Sequence, residues 1–320
     1  MRKLLVTGGT VFVSRYVAEY YAKKGDKVYV LNRNHHVQPE GTTLIKADRR
    51  EPGDVLKCHD FDAVLDITAY NGADIEGLLN GLGHFGTYIM ISSSAVYPET
   101  EKQPFAESGA LGANIYWGAY GTDKIEAERE LQKRVPEAYI LRPPYLYGPM
   151  NNVYREAFVF ECAEKDRAFY IPRDGGMGLQ FFHVRDLCRF MDILLERRPA
   201  QHVFNVGNDE MVSIADWVTT CYKVAGKTPE LISVREPVEQ RNYFSFYDYE
   251  YRLDVSAQKQ WMPDTIPLAD GLKEAYEWYQ AHADCVRRKD FISYIDEHFA
   301  YKTVFCIIPK QMPQDIEKGI

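Results

Sequence analysis

Lys3-Leu4-Leu5-Val6-Thr7-Gly8-Gly9-Thr10-Val11-Phe12-Val13-Ser14 is the stretch whose reading decides the fold. Residues 3–7 form a short apolar strand, and the run stops at Gly8-Gly9, too soon for a signal-peptide core. Over 13–24, Val13, Val17, Tyr20 and Tyr21 recur at helical spacing, and Gly25 supplies the stop. Strand, glycine turn and helix in that order bring backbone N–H groups and a helix N-terminus to one point.

Such a point can hold a pyrophosphate. Gly8, Gly9, Thr10, Val11, Phe12 and Val13 are the expected contacts. A glycine frame anchored at Gly8 calls for glycine again at positions 11 and 14, where this chain has Val11 and Ser14. Ser14 is small enough for close packing of helix on strand. Val11 puts a β-branched side chain where backbone approaches phosphate, so a wider turn or a weaker cofactor site is expected. The second strand, 27–32, ends at Asn32-Arg33 instead of at an acid. A guanidinium suits a 2′-phosphate, so NADP is favoured over NAD. Asp48 is placed to accept from an adenine amino group, with a turn aspartate as the plain alternative.

Strand patterns continue at 44–46, 63–67, 88–92 and 138–142, with helical patterns at 75–82 and 120–134. This alternation predicts an α/β fold, a Rossmann-type doubly wound parallel sheet. After Gly148-Pro149 the pattern loosens: a helix over 153–165, strands at 180–184 and 202–206, a helix capped by Ser213 and ended by Gly226, and a helix over 268–281. The expected organisation is a dinucleotide-binding domain over 1–150, with segments near 178–206 returning to it. A smaller C-terminal substrate lobe covers 151–300, and 301–320 is a tail without readable pattern.

The chain has 320 residues, 46% hydrophobic and 26% charged, with a formal net charge of −8. That balance disfavours a nucleic-acid surface. No apolar run is long enough to span a membrane. The six cysteines (58, 162, 188, 221, 285, 306) are scattered and read as reduced thiols of a cytoplasmic protein. No metal-ligand spacing is present.

Tyr120 and Lys124 stand four residues apart, one helical turn on one face. A nearby cation favours a phenolate, which can then exchange protons near neutral pH. Ser92-Ser93-Ser94 ends an upstream strand. Alone, the spacing is weak; beside these serines and the glycine turn it points to proton transfer at a bound dinucleotide. His183 lies in a buried strand and reads as structural. The run from Tyr243 to Tyr251 is an aromatic cluster, for packing or a subunit contact, with a sugar or base platform as the alternative.

Together these residues resemble the extended short-chain dehydrogenase/reductase superfamily, of the NAD(P)-dependent sugar-nucleotide epimerase/dehydratase type. Thr7-Gly8-Gly9-Thr10, Ala47-Asp48, Ser92-Ser93-Ser94-Ala95-Val96-Tyr97, Tyr120-x-x-x-Lys124, the segment from Leu141 to Pro149, Phe182-His183-Val184-Arg185-Asp186 and Gly271-Leu272 carry the likeness. Val11 and Pro98 are similar to the atypical branch that includes chloroplast stem-loop-binding-like proteins. The resemblance implies Tyr120 as the proton-transfer residue, Lys124 as its partner and ribose ligand, and Ser93 as donor to the reacting oxygen. It implies Asn32, Arg33, Asp48, Arg49, Thr68, Ala69, Tyr70, Ser92, Pro143, Pro144 and Tyr145 along the cofactor. Ser94, Tyr147, Asn151 and Phe182 would face substrate, and Arg241 would meet a substrate phosphate. Ser94 and Ala95 stand where dehydratases carry acids, which disfavours dehydration. A nucleotide sugar is the implied substrate and a homodimer through the helix after Tyr120 the implied assembly. The contrasting reading is a non-catalytic dinucleotide-binding regulatory or RNA-associated protein that retains the fold.

Overall fold

A computed structural model describes residues 1–300 of the chain. β1 (Lys3–Thr7) enters the glycine turn and leaves it as α1 (Phe12–Lys23). Gly8 and Gly9 have φ of 84° and 81°, in the left-handed region. A side-chain carbon at Gly8 would lie 2.7 Å from Thr68 Cγ2, and one at Gly9 would lie 2.5 Å from Val30 Cγ1. Backbone angle and close approach thus both require glycine. Phe12, which follows Val11, also has a positive φ of 37°, a strained conformation for a bulky residue.

The chain continues through β2 (Lys27–Asn32), β3 (Thr42–Lys46), β4 (Phe61–Asp66), α2 (Gly72–Gly81), β5 (Phe85–Ile91), α3 (Ala119–Arg134), β6 (Tyr139–Arg142) and β7 (Tyr145–Tyr147). Then come α4 (Glu156–Glu164), β8 (Phe169–Pro172), β9 (Gly178–Leu179), β10 (Phe181–His183), α5 (Val184–Arg197), β11 (Val203–Asn205), β12 (Val212–Ser213) and α6 (Ile214–Val224). β13 (Leu231–Val234), α7 (Ser256–Lys259), α8 (Leu268–His282) and α9 (Phe291–Ile295) complete it.

Seven strands form one parallel sheet in the order β11-β6-β5-β4-β1-β2-β3. Its strands are apolar on both faces because helices cover both. Leu4 and Val6 of β1 pack with Val17, Ala18 and Tyr21 of α1 and with Leu187, Met191 and Leu194 of α5. Leu5, pointing the other way, packs with Ile75 and Leu78 of α2 and Ala127 and Leu131 of α3. Tyr20, expected on the apolar face of α1, is only partly buried; its hydroxyl donates to Asp192 at 2.7 Å.

A third core joins α4, α6 and α8 to the aromatic run and makes the smaller lobe. There β8 pairs with β13, β9 with β12, and β7 with β10. Ser213 caps α6, accepting from the Asp216 N–H at 3.0 Å. The helix expected from 153 begins at Glu156, because the Asn151 side chain accepts from Val153 N at 3.0 Å and Val153 bridges to Arg287. No helix among the described residues is long and apolar enough to cross a membrane, and no group of His, Cys, Asp or Glu there could hold a metal ion. Cys58, Cys162, Cys188, Cys221 and Cys285 are free thiols; Cys306 and the expected tail lie outside the described residues.

Candidate active site

Parallel strands all end at the same edge of the sheet, and the loops after β1, β2, β3, β4, β5 and β6 meet there. They enclose two cavities. One, of about 420 Å³, is lined by Gly8, Asn32, Arg33, Asp48, Arg49 and Thr68, among others. The second, of about 520 Å³, has Ser92, Ser93, Ser94, Tyr120 and Lys124 on one wall and Pro143 and Tyr145 on another. Tyr70 lines both, so the two form one groove. Phe12 and Val13 border the second cavity; Thr10 and Val11 line an adjoining cavity that Phe12 also borders. Gly9 is buried against Val30.

Tyr120 and Lys124 project from the first turns of α3. Lys124 is buried to 3% exposure and its Nζ donates to the backbone oxygens of Ala69 at 2.7 Å and Ile91 at 2.9 Å. Those carbonyls leave the ends of β4 and β5, so the ammonium ties α3 to the sheet edge. Its Nζ lies 5.3 Å from the Tyr70 ring centre and 5.9 Å from that of Tyr120. Burial holds the Lys124 ammonium down to about 8, against the pull of Asp66. Tyr120 is 42% accessible from the cleft even though cleft walls crowd around it. That crowding raises its pKa, opposed by hydrogen bonding with Ser93 and by the charge of Arg155. The expectation that Lys124 brings the phenol below its ordinary value is thus corrected: the ammonium is spent on carbonyls, and the phenol holds its proton at neutral pH.

Two buried ionic networks fix this edge. Asp66, fully buried, accepts from Thr7 at 2.8 Å, Tyr88 at 2.6 Å and both terminal nitrogens of Arg49. Burial works against the Asp66 charge, but Arg49 and these donors outweigh it and hold the carboxyl below its usual range. Arg49, read as a cofactor ligand, is committed to this ion pair. Glu128, one turn beyond Lys124, receives Arg142 at 3.0 and 2.6 Å and also the Ser92 hydroxyl. Arg142 reaches Tyr97 at 2.8 Å, whose hydroxyl donates to Asn205 of β11 at 2.8 Å. Ser92 is held by this network as well as bordering the cleft. Asn32 braces the turn, donating to the Gly8 oxygen at 2.6 Å. Arg33 stands loosely at 3.9 Å from Asp48.

Four residues expected to face substrate are not brought to the cleft wall. Tyr147 and Phe182 are buried to 1% and 0% in the β7–β10 ribbon. Asn151 closes the turn into α4, donating to Glu156 at 2.7 Å. Arg241 turns back to the Phe244 and Ser245 oxygens and lies 4.7 Å from the Tyr247 ring centre. In their place the wall carries Tyr116, Trp117, Tyr247, Tyr251 and Arg155. The aromatic run contributes Tyr247 and Tyr251 and packs the rest of its rings inward. Arg155 gave no sequence signal, since an arginine beside an apolar helix run reads as solvated surface. His183 caps α5, accepting from Arg185 N at 3.2 Å; burial lowers its pKa to about 3, so it stays neutral.

Residues 78–207 match the model of the "NAD dependent epimerase/dehydratase family". The chain is similar to the chloroplast stem-loop binding protein of 41 kDa b of Arabidopsis thaliana, 26% identical over 304 residues, 86% of this chain and 78% of that protein. It is also similar to a UDP-glucose 4-epimerase of Streptomyces lividans, 22% identical over 88% of this chain and 97% of that one. Among solved structures, the dTDP-glucose 4,6-dehydratase of Bacillus anthracis, in complex with NAD, shares the fold with a TM-score of 0.71 at 17% identity, covering 89% of this chain and 99% of that chain.

Proposed function

We propose that this protein is a member of the NAD-dependent epimerase/dehydratase family and an NAD(P)-dependent oxidoreductase or epimerase acting on a sugar nucleotide or a similar hydroxylated metabolite. The observation that carries the reading is the set of Tyr120, Lys124 and Ser93 on one wall of a groove that continues past Tyr70 to Gly8 and Arg33. The residues present suit a dinucleotide: Gly8 lines the groove at the turn into α1, and α1 begins without a side-chain cap or a first-turn acid to compete for its N–H groups. Gly8, Phe12 and Val13 would hold the phosphates and Asp48 the adenine, and Pro143 and Tyr145 would flank the nicotinamide. Arg33, exposed and loosely paired, favours the 2′-phosphate of NADP.

A bound nicotinamide dinucleotide supplies the hydride acceptor and donor. Tyr120 moves the proton. With its proton in place, the phenol gives it to a carbonyl oxygen; in the opposite direction the ionised phenol accepts the carbinol proton. Ser93 donates to the same oxygen and orients it. Lys124 fixes the edge on which both stand. The cleft wall offers no carboxylate among the described residues, and Ser94 and Ala95 are neutral, which disfavours elimination of water. The likeness to the UDP-glucose 4-epimerase of Streptomyces lividans supports the sugar-nucleotide assignment.

Tyr120→Phe is expected to lower turnover by about 100-fold or more and to leave NADP titrating with nearly the wild-type dissociation constant by calorimetry. A variant with full turnover would sink the mechanism.

A further inference from the structure

Arg155 stands in the wall that also carries Tyr120. Its guanidinium lies 5.3 Å from the ring centre of Tyr145 and 6.0 Å from that of Phe246. One nitrogen donates to the Leu146 oxygen at 3.3 Å, the one hydrogen bond of the side chain among the described residues. Among these residues no carboxylate lies at ion-pair distance from it. Its neighbour Glu156 turns inward to Asn151, and burial raises the Glu156 pKa against the pull of the Arg155 charge. A guanidinium has five N–H donors, so most of this fork is unspent and borders the cleft.

The other cation on that wall, Lys124, is sealed against two carbonyls. Arg241 is folded onto its own loop behind Tyr247. Arg155 lines the same cavity as Tyr120, Ser93 and Ser94, which puts it at the reacting end of the groove. The flanking rings favour a flat group, and a planar fork matches a carboxylate with two parallel hydrogen bonds.

We propose that Arg155 reads a carboxylate carried by the sugar itself, near the carbinol that Tyr120 serves. The preferred substrate is then an acidic sugar of the uronate type instead of its neutral counterpart. This rests on the sugar-nucleotide reading above and narrows it.

The test uses the full chain saturated with NADP and two pairs of ligands titrated by calorimetry. The first pair is UDP-glucuronate and UDP-glucose; the second is glucuronate 1-phosphate and glucose 1-phosphate. Wild type should bind the acid of the first pair about tenfold or more tightly than the neutral sugar. Arg155→Met should bring that ratio close to one, and Arg155→Lys should restore part of it. Thermal unfolding of both variants shows whether they are folded. A preference seen only in the second pair supports the role of Arg155 and overturns the nucleotide part of the substrate assignment. Equal binding of acid and neutral sugar in both pairs overturns the proposal. So does a loss in Arg155→Met that falls equally on both members, which would make Arg155 a phosphate ligand or a packing residue. Absence of binding by all four ligands, with NADP still bound, overturns both readings together.

Discussion

Lys124 keeps a full charge at 3% exposure with two backbone oxygens as its partners and no carboxylate at ion-pair distance among the described residues. Burial lowers its pKa from 10.5 to about 8. Below pH 8 both folded and unfolded chains carry the proton, and folding bears the whole penalty. Between about 8 and 10.5 the unfolded chain binds more protons, so this residue's contribution to stability rises with pH. Urea unfolding of wild type and Lys124→Met at several pH values should show the wild type gaining on the variant by about 3 kcal/mol across that window. A pH-independent difference between the two would overturn this assignment. The pairing of Tyr120 with Lys124 was legible because four-residue spacing on a helix fixes relative position. What surrounds each was not. Whether an ammonium meets a phenol or two carbonyls depends on strand ends 33 and 55 residues away. Arg155 was illegible for a related reason: its exposure to the cleft is set by the turn at Asn151 and by rings contributed from Tyr145 and Phe246.

At the scale of elements, α3 presents Tyr120, Lys124 and Glu128 at successive turns, so one helix face carries the proposed proton-transfer residue at its start and structural anchoring behind. Arg142 and Glu128 are 4% and 1% exposed by side chain. Removing Arg142 alone leaves a buried carboxylate facing Ser92 with its main partner gone. Arg142→Met is expected to cost about 3–5 kcal/mol in chemical denaturation, and Arg142→Met with Glu128→Leu to recover much of it. A double variant no more stable than the single one would show that packing, not charge pairing, dominates there. The glycine turn shows where a local rule can mislead. The motif assigns Val11 to the phosphate path, but Val11 lines the cavity next to the groove, and Phe12 after it sits at positive φ. Sequence spacing places the turn; it does not state which way a side chain leaves it.

For the whole molecule, a groove built from loops of six strands links cofactor binding to the stability of the sheet edge. NADP at about 100 times its dissociation constant is expected to add about 2.7 kcal/mol, seen as a rise of several degrees in melting temperature. A smaller rise with NAD at equal concentration would agree with the role given to Arg33, and a larger rise would reverse that preference. The seven-stranded sheet was readable because its strands are apolar runs separated by amphipathic helices. The lobe was less so: β9 and β12 are two residues each, and such short pairs leave no period to read. The sheet's last edge strand, β11, lies about sixty residues along the chain from its partner β6. Synthesis at 5–20 residues per second leaves that edge of β6 waiting roughly 3–12 s before its partner emerges. During that interval an apolar strand with unpaired backbone groups is open to other chains. The nascent protein is therefore most in need of a chaperone between the completion of β6 and the arrival of Val203, well before the lobe is finished.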